Sequence, residues 1–159
     1  MELPKRAKED IFLPDGQFGR MTAELRRQTH CHDISIVIVY AFDFRTRLLP
    51  FFLADKRMPP AGPRAIAAAL SSAGFRRIRI VLQQWNPNFR PSQARIDGRP
   101  IDVLMISAMQ IHSEPAYKLV ADAWTMGENR PLIIAGGPKA IYEPSHFLGI
   151  GPDARVHAD

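Results

Sequence analysis

Cysteine is nearly absent from the sequence, with Cys31 alone among 159 residues. One thiol cannot form a disulfide framework within the chain, and it cannot hold a cysteine-ligated zinc or iron–sulfur centre. Long apolar runs are also missing, since none reaches the roughly 20 residues that cross a bilayer. Residues 1–10 mix both signs of charge and lack the apolar block of a secretory signal. We therefore expect a cytoplasmic protein that does not enter the membrane.

The absence of several binding motifs limits the kinds of ligand that we expect the chain to bind. No Gly-x-Gly-x-x-Gly motif follows the first apolar run, which argues against ordinary dinucleotide binding. His30-Cys31-His32 joins three metal-ligating residue types, but successive side chains of an extended segment point to opposite faces, and we expect no metal site there. The net charge of +5 comes with arginines spread through the chain and without an aromatic or zinc signature. We accordingly do not expect nucleic-acid binding.

Four apolar runs rich in β-branched residues predict strands over 34–41, 77–82, 102–107 and 131–136. The first and the last are apolar at nearly every position, which predicts strands buried on both faces of a parallel sheet. The second begins with alternating arginine and isoleucine, as a strand at the margin of a sheet does. Pro63 and Gly74 bound a predicted helix, and Ser113 is the expected cap of another helix that ends at Gly127.

The alternation of strands and helices predicts an α/β fold. We expect a doubly wound, mostly parallel sheet, Rossmann-like or flavodoxin-like, with helices on both faces and truncated before its last strand. Residues 1–33 are assigned to a leader or linker, and residues 34–159 to the α/β domain. Open α/β sheets bind ligands at the carboxyl edge of their strands. Three loops are expected to meet there: 42–63, 107–115 and 136–144.

Three stretches of the predicted domain carry a family pattern. An Ala- and Leu-rich helix follows Pro59-Pro60, one strand ends in Ile106-Ser107-Ala108-Met109, and a later strand ends in Ala135-Gly136-Gly137-Pro138-Lys139-Ala140. Together they resemble the cobalamin-binding domain that precedes the catalytic barrel in many radical S-adenosylmethionine proteins. The resemblance covers about residues 34–148, and its Gly-Gly-Pro element within a matching strand order is the specific part.

The resemblance implies a corrin ring held against the carboxyl edge of the sheet, with cobalamin as the cofactor. Ser107 and Met109 match a Ser-x-Leu-like element whose serine contacts the nucleotide tail of the cofactor. Gly136, Gly137 and Pro138 match the element whose glycines let that tail lie close to the backbone. These five residues are the candidate binding site.

The sequence departs from this family at the position of the cobalt ligand. The Asp-x-His-x-x-Gly motif, whose histidine coordinates cobalt in many relatives, is missing, and Arg45 stands where the histidine would be. A guanidinium is permanently protonated and cannot coordinate a metal. Lys139 likewise replaces the common histidine after Gly-Gly-Pro.

The resemblance also implies a partner, a radical S-adenosylmethionine barrel domain in cis or in trans. That domain would bind S-adenosylmethionine and a 4Fe-4S cluster through Cys-x-x-x-Cys-x-x-Cys. With Cys31 alone, this chain has no catalytic machinery for such chemistry. We interpret it as the N-terminal part of such an enzyme, a fragment or a split gene product, which presents a corrinoid or a substrate at the carboxyl edge.

Two other functions stay open on the sequence. A degenerate domain of the same type would bind no cofactor and act as a docking or structural module, which the missing histidine favours. A small-molecule hydrolase or transferase on a flavodoxin-like sheet is the other, although no nucleophile and base have a suitable spacing. His112 and Glu114 follow the third strand, and we expect a polar pair within the loop there, with proton transfer as the alternative.

Overall fold

The computed structural model describes residues 16–46 and 60–150. Residues 1–15 of the predicted leader, most of the loop predicted over 42–63, and residues 151–159 lie outside this description. The helices are α1 Gln17–Arg27, α2 Ala61–Ser72, α3 Ser113–Trp124, α4 Pro138–Tyr142 and α5 Ser145–Leu148. The strands are β1 Ser35–Tyr40, β2 Arg77–Leu82, β3 Arg95–Ile96, β4 Arg99–Pro100, β5 Val103–Ser107 and β6 Leu132–Gly136.

The central sheet has four parallel strands in the order β2-β1-β5-β6. The chain steps from β1 to β2 in one direction and from β5 to β6 in the other. With right-handed crossovers, α2 and α3 then cover opposite faces of the sheet, and α2 contacts β1 and β2 while α3 contacts β5. The predicted doubly wound, flavodoxin-like α/β fold is confirmed. Its strand order reverses between β1 and β5, where such sheets form a ligand crevice.

Strand β1 is the centre of the core because it is buried on both faces. Val37 and Val39 belong to the main core cluster, together with Leu104 and Ile106 of β5. The side of α3 that packs on them carries small and branched residues: Ala116, Leu119, Val120 and Ala123. Ile36 and Ile38 are equally buried, and since side chains alternate along a strand they lie on the opposite face.

The connection from β2 to β5 contains a hairpin that the sequence interpretation missed. Strands β3 and β4 pair in antiparallel fashion around Asp97 and Gly98, which both have positive φ, 50° and 77°. Two successive positive φ values define a type I′ turn, and Asp-Gly is its usual sequence. Ile96 and Ile101 on either side of the turn belong to the core cluster, so the hairpin covers the sheet where a helix would otherwise lie.

The sequence predicted the surroundings of one edge strand, β2, but not those of the other, β6. Strand β2 lies at the margin of the sheet, as predicted. The prediction that β6 is buried on both faces is wrong, because Leu132 and Ile134 are 63% and 42% exposed. The reason is topological: in the described part of the chain β6 pairs only with β5 and therefore forms the other edge.

Helix α1 and the residues after it contact the end of α2. His32 is buried, and its Nε2 lies 3.0 Å from the carbonyl oxygen of Leu25. The backbone N–H of Arg76 donates to the carbonyl of His32 over 3.0 Å. Gly74 has a φ of +105°, and a Cβ there would lie 2.5 Å from the His32 ring. The close approach of this ring therefore requires glycine at position 74.

Candidate functional site

The carboxyl ends of β5 and β6 are joined directly. Ser107 is in register with Gly136, and the N–H of Ala108 donates to the carbonyl of Gly136 over 3.2 Å. The N–H of Lys139 in turn donates to the carbonyl of Ala108 over 3.0 Å. These bonds hold the loop after β5 against the first turn of α4.

Gly136, the last residue of β6, and Gly137, which follows it, have different surroundings. Gly137 has φ 84° and ψ −179°, a conformation that only glycine adopts readily. A Cβ at this position would lie 2.8 Å from the oxygen of Ala108 and 3.1 Å from Oγ of Ser107. Gly136 lacks a positive φ, and its nearest neighbour would be the oxygen of Ile106 at an ordinary 3.8 Å. Packing therefore requires glycine at position 137, whereas Gly136 leaves open space beside the sheet edge.

Four of the five predicted site residues lie together at the ends of β5 and β6, and the fifth lies nearer to β1. Ser107, Gly136, Gly137 and Pro138 lie together, and Pro138 opens α4 at a position where its missing N–H costs nothing. Met109 lies towards β1, where the hydroxyl of Tyr40 is 3.5 Å from its sulfur.

His112 ties the loop after β1 to the loop after β5, at the point where the strand order reverses. Its side chain is fully buried, and its ring contacts those of Phe42 and Tyr40 at centroid distances of 4.7 and 5.9 Å. The N–H of Asp43 donates to Nδ1 of His112 over 3.1 Å. A ring nitrogen that accepts a hydrogen bond carries no proton, so a neutral His112 has its proton on Nε2. His112 is therefore a fixed part of the edge.

A chain of alternating charges runs along the same loops. Arg45 donates to both carboxylate oxygens of Asp43 and also to Glu114, and Nζ of Lys118 lies 2.6 Å from Glu114. The hydrogen bond from Arg45 lowers the pKa of Asp43, although burial of the carboxyl group opposes it. Hydrogen bonds from Lys118 and Arg45 lower the pKa of Glu114. Asp43 and Glu114 are therefore ionised at neutral pH, and Arg45 binds both carboxylates through Nε and Nη2.

The expected polar pair of His112 and Glu114 is not formed. His112 accepts from the backbone of Asp43, while Glu114 binds Arg45 and Lys118. Ser113 also differs from its predicted role, since its hydroxyl donates to the carbonyl of Gln110 and does not cap α3. The helix begins at Ser113 itself, directly after the short 3-10 turn that contains His112.

Lys139 is a site residue whose role the sequence did not reveal. It is buried at the start of α4, where Nζ contacts Glu143, lies 3.0 Å from Nδ1 of His146 and 5.7 Å from the ring centre of Tyr117. Burial would lower the pKa of Lys139, but hydrogen bonds to Glu143 and Tyr117 outweigh it and raise that pKa. The ammonium group therefore links α4 and α5 to α3. Helical spacing of four residues accounts for the contact with Glu143, but only the tertiary arrangement brings Tyr117 and His146 to the same ammonium group.

A cleft of about 690 Å³ opens beside the charge chain, between the loop after β1, the connection after β2 and α3. Gln83 lies on its wall, and the side-chain oxygen accepts from the N–H of Phe42 over 3.1 Å. Arg90 and Asp122 face each other across its rim at 2.7 Å. Much of the polar surface of the cleft thus consists of side chains that already form ion pairs with one another.

Metal ligands do not cluster in the described ranges. Within residues 16–46 and 60–150, no three His, Cys, Asp or Glu side chains come close enough to hold a metal ion. Arg45, which the family resemblance aligns with a histidine, is held by two carboxylates.

The comparisons with known proteins returned no match, whether against protein-family models, curated proteins or solved structures. Among the helices described, none has the length and apolar character that crossing a membrane requires.

Proposed function

We propose that this chain is a cobalamin-binding-type domain of a radical S-adenosylmethionine protein and that it presents a corrinoid or a substrate at the carboxyl edge of its sheet. The observation that carries the proposal is the junction of β5 and β6, where Ser107 and the glycine pair lie side by side. The matching sequence elements are more than 25 residues apart in the chain, and the fold brings them together at the edge where α/β sheets bind ligands.

The groups at this edge suit a large, flat and mostly apolar ligand. Gly136 contributes backbone without a side chain and is in register with Ser107, whose hydroxyl lies beside the following Gly137. Met109 and Ile111 after β5 and Ile141 in α4 are exposed apolar side chains around the same edge. Exposed apolar side chains beside a hydroxyl and glycine backbone are typical of a ligand site.

The residues present fit a corrinoid that is held without a protein ligand to its cobalt. Ser107 and Gly136 would contact the nucleotide tail, and Met109 would contact the ring. Arg45 cannot coordinate the metal, and its ion pairs with Asp43 and Glu114 keep it in place. When bound, cobalamin supplies a cobalt atom that can carry and release an alkyl group.

The partner in this proposal is a barrel domain, in cis or in trans, that holds S-adenosylmethionine and the 4Fe-4S cluster. The Cys-x-x-x-Cys-x-x-Cys motif of such a barrel supplies three cysteine ligands to the cluster, and this chain has Cys31 alone. The chain would then contribute cofactor or substrate binding, and the barrel would contribute the radical chemistry.

A docking or structural module is the second candidate, and a specific observation favours it. The close contact of Gly137 with Ala108 explains by packing alone why one of the two positions 136 and 137 is a glycine. The position of the cobalt ligand is occupied by Arg45, whose bonds to Asp43 and Glu114 stabilise the loop. Both features are compatible with a domain that keeps the fold of its family without the cofactor.

Visible absorption of the full chain titrated with hydroxocobalamin, followed by desalting, distinguishes the two candidates. The variant to compare is Gly136→Val, because a side chain there enters the open space beside Ser107 without backbone strain. Gly19→Val is the matched control, since Gly19 lies in α1 and a Cβ there meets nothing within 4 Å.

A corrin spectrum that the wild-type chain and the Gly19→Val variant retain, and that the Gly136→Val variant loses, supports cofactor binding at this edge. If a folded wild-type chain retains no corrin, the binding proposal fails and the docking module takes its place. Retention by all three proteins would mean that the corrinoid binds elsewhere.

A further inference from the structure

The excess positive charge of the chain lies in one stretch of 25 residues. Residues 76–100 contain a single acidic residue, Asp97, and six arginines: Arg76, Arg77, Arg79, Arg90, Arg95 and Arg99. Their net charge equals the +5 of the whole chain, so the remaining acidic and basic residues balance. Arginines occur throughout the chain, but outside this stretch acidic residues balance the basic ones in number.

Four of these six arginines lie on β2 or on the hairpin beside it. Arg79 lies on β2, and its guanidinium donates to the carbonyl of Arg95 in the hairpin over 3.0 Å. Arg77 lies 3.7 Å from Asp97 at the tip of the hairpin. Arg99 is exposed on the second strand of the hairpin. Edge strand and hairpin together form a continuous basic surface.

The same margin carries a free strand edge. In the described part of the chain β2 pairs only with β1. The N–H of Gln83 donates to Tyr40 of β1, and residues two apart in a strand direct their backbone groups to the same side. Ile78 and Ile80 therefore direct their N–H and C=O groups away from β1, as a template for another strand.

An apolar groove of about 580 Å³ follows this edge. Ile80 and Leu82 line it, and Trp85, which is 58% exposed, stands at one end. Arg64 of α2 and Arg79 of β2 lie on its sides. Along the groove, apolar side chains, backbone groups that can pair with a strand, and arginine side chains thus lie next to one another.

We propose that the β2 edge binds an extended acidic segment of a partner protein, which adds to the sheet as a fifth strand. Backbone pairing with Ile78 and Ile80 would provide affinity, and acidic side chains of the segment would meet Arg64 and Arg79. A nucleic acid offers the same charge, but it has neither the backbone pattern nor the alternating apolar groups that this edge and groove accommodate. This surface lies outside the candidate cofactor site, so the proposal does not depend on corrinoid binding.

The test is fluorescence-anisotropy titration of the full chain with a blocked, labelled peptide of sequence Glu-Val-Glu-Ile-Glu-Val-Glu. Two probe controls go with it, namely the peptide with Lys in place of each Glu and the acidic peptide N-methylated at two consecutive central residues, which cannot pair on either edge. The protein variant, called the β2 variant, is Arg64→Glu with Arg79→Glu. Its matched control is Arg20→Glu with Arg27→Glu, the same charge change on the exposed surface of α1. A labelled twelve-residue oligo-dT is titrated in parallel.

We expect the acidic peptide to bind, and the β2 variant to weaken its binding at least tenfold while the α1 variant weakens it less than threefold. N-methylation should abolish binding, and the Lys peptide should not bind. No binding of the acidic peptide, or equal binding of its N-methylated form, would overturn the proposal. Tighter binding of oligo-dT than of the peptide, with loss in the β2 variant, would make the surface a nucleic-acid site instead.

Discussion

Glycine at position 137 is the residue on which the proposed site depends most. Its φ of 84° and the backbone of Ala108 at 2.8 Å from the Cβ position both exclude a side chain. We expect Gly137→Ala to reduce the free energy of unfolding by at least about 2 kcal/mol, since backbone strain of roughly 1–3 kcal/mol adds to the overlap. Urea denaturation followed by circular dichroism measures the change.

Gly136→Ala is the control for this experiment, because its Cβ would make only an ordinary 3.8 Å contact. Its free energy of unfolding should stay equal to that of the wild type or rise by up to about 1 kcal/mol through the lower entropy of the unfolded chain. A Gly137→Ala protein as stable as Gly136→Ala would show that the junction between β5 and β6 is looser than described.

Asp43 gives the site a dependence on pH. Arg45 lowers the pKa of the folded carboxyl group below its ordinary value, so the carboxylate stabilises the fold at pH values above the ordinary Asp pKa of about 3.9. That stability is lost as pH falls through the lowered folded pKa. Urea unfolding between pH 6 and pH 2 should therefore show a steeper loss of stability in the wild type than in Asp43→Asn. The exposed Asp33→Asn variant is the control, and a wild-type slope no steeper than that of Asp43→Asn would contradict the role of the pair.

The sequence predicted which residues belong to the candidate site better than it predicted the groups that these residues contact. The glycine pair after β6 could be placed at the sheet edge from sequence, because an apolar strand that runs into two glycines has a local signature. The burial of His112 and of Lys139 could not be predicted from sequence, since each side chain contacts groups from separate elements. Arg45 was recognised as unable to bind cobalt, but its bonds to Asp43 and Glu114 became visible only in the fold.

At the scale of elements, β5 and β6 have similar sequences and different surroundings. Leu104 of β5 is fully buried, whereas Leu132 of β6 is 63% exposed. Leu104→Ala should reduce the free energy of unfolding by about 2–5 kcal/mol, the usual cost of a cavity in the core. Leu132→Ala should cost less than about 1 kcal/mol, because little buried surface is lost. Chemical denaturation of both variants tests the difference, and equal costs would mean that β6 is covered on both faces.

Apolar periodicity could not separate these two strands. Both runs are continuous and β-branched, and the sequence alone does not reveal which strand lies at the edge. For β2 the alternation of arginine and isoleucine did predict the margin. The hairpin was missed although Asp97-Gly98 is a turn signal, because strands of two residues are too short to show a period.

At the scale of the whole molecule, the two margins of the sheet have different characters. The β2 margin is basic, with Arg77 and Arg79 on the strand and Arg95 and Arg99 on the adjacent hairpin. The β6 margin is apolar, with Leu132 and Ile134 exposed. The carboxyl edge between them holds the candidate site. One small sheet thus offers three separate surfaces, and the strand order β2-β1-β5-β6 sets their positions relative to one another.

Hydrogen exchange of the full chain, measured by mass spectrometry with and without hydroxocobalamin, tests the central claim most directly. The account predicts slower exchange on addition of the corrinoid in segments 107–112 and 136–142, which carry Ser107, Met109 and the glycine pair. Segment 17–27 in α1 and segment 77–82 in β2 should exchange as before. Unchanged exchange at both edge segments, or protection confined to α1 or β2, would contradict a cofactor site at the junction of β5 and β6.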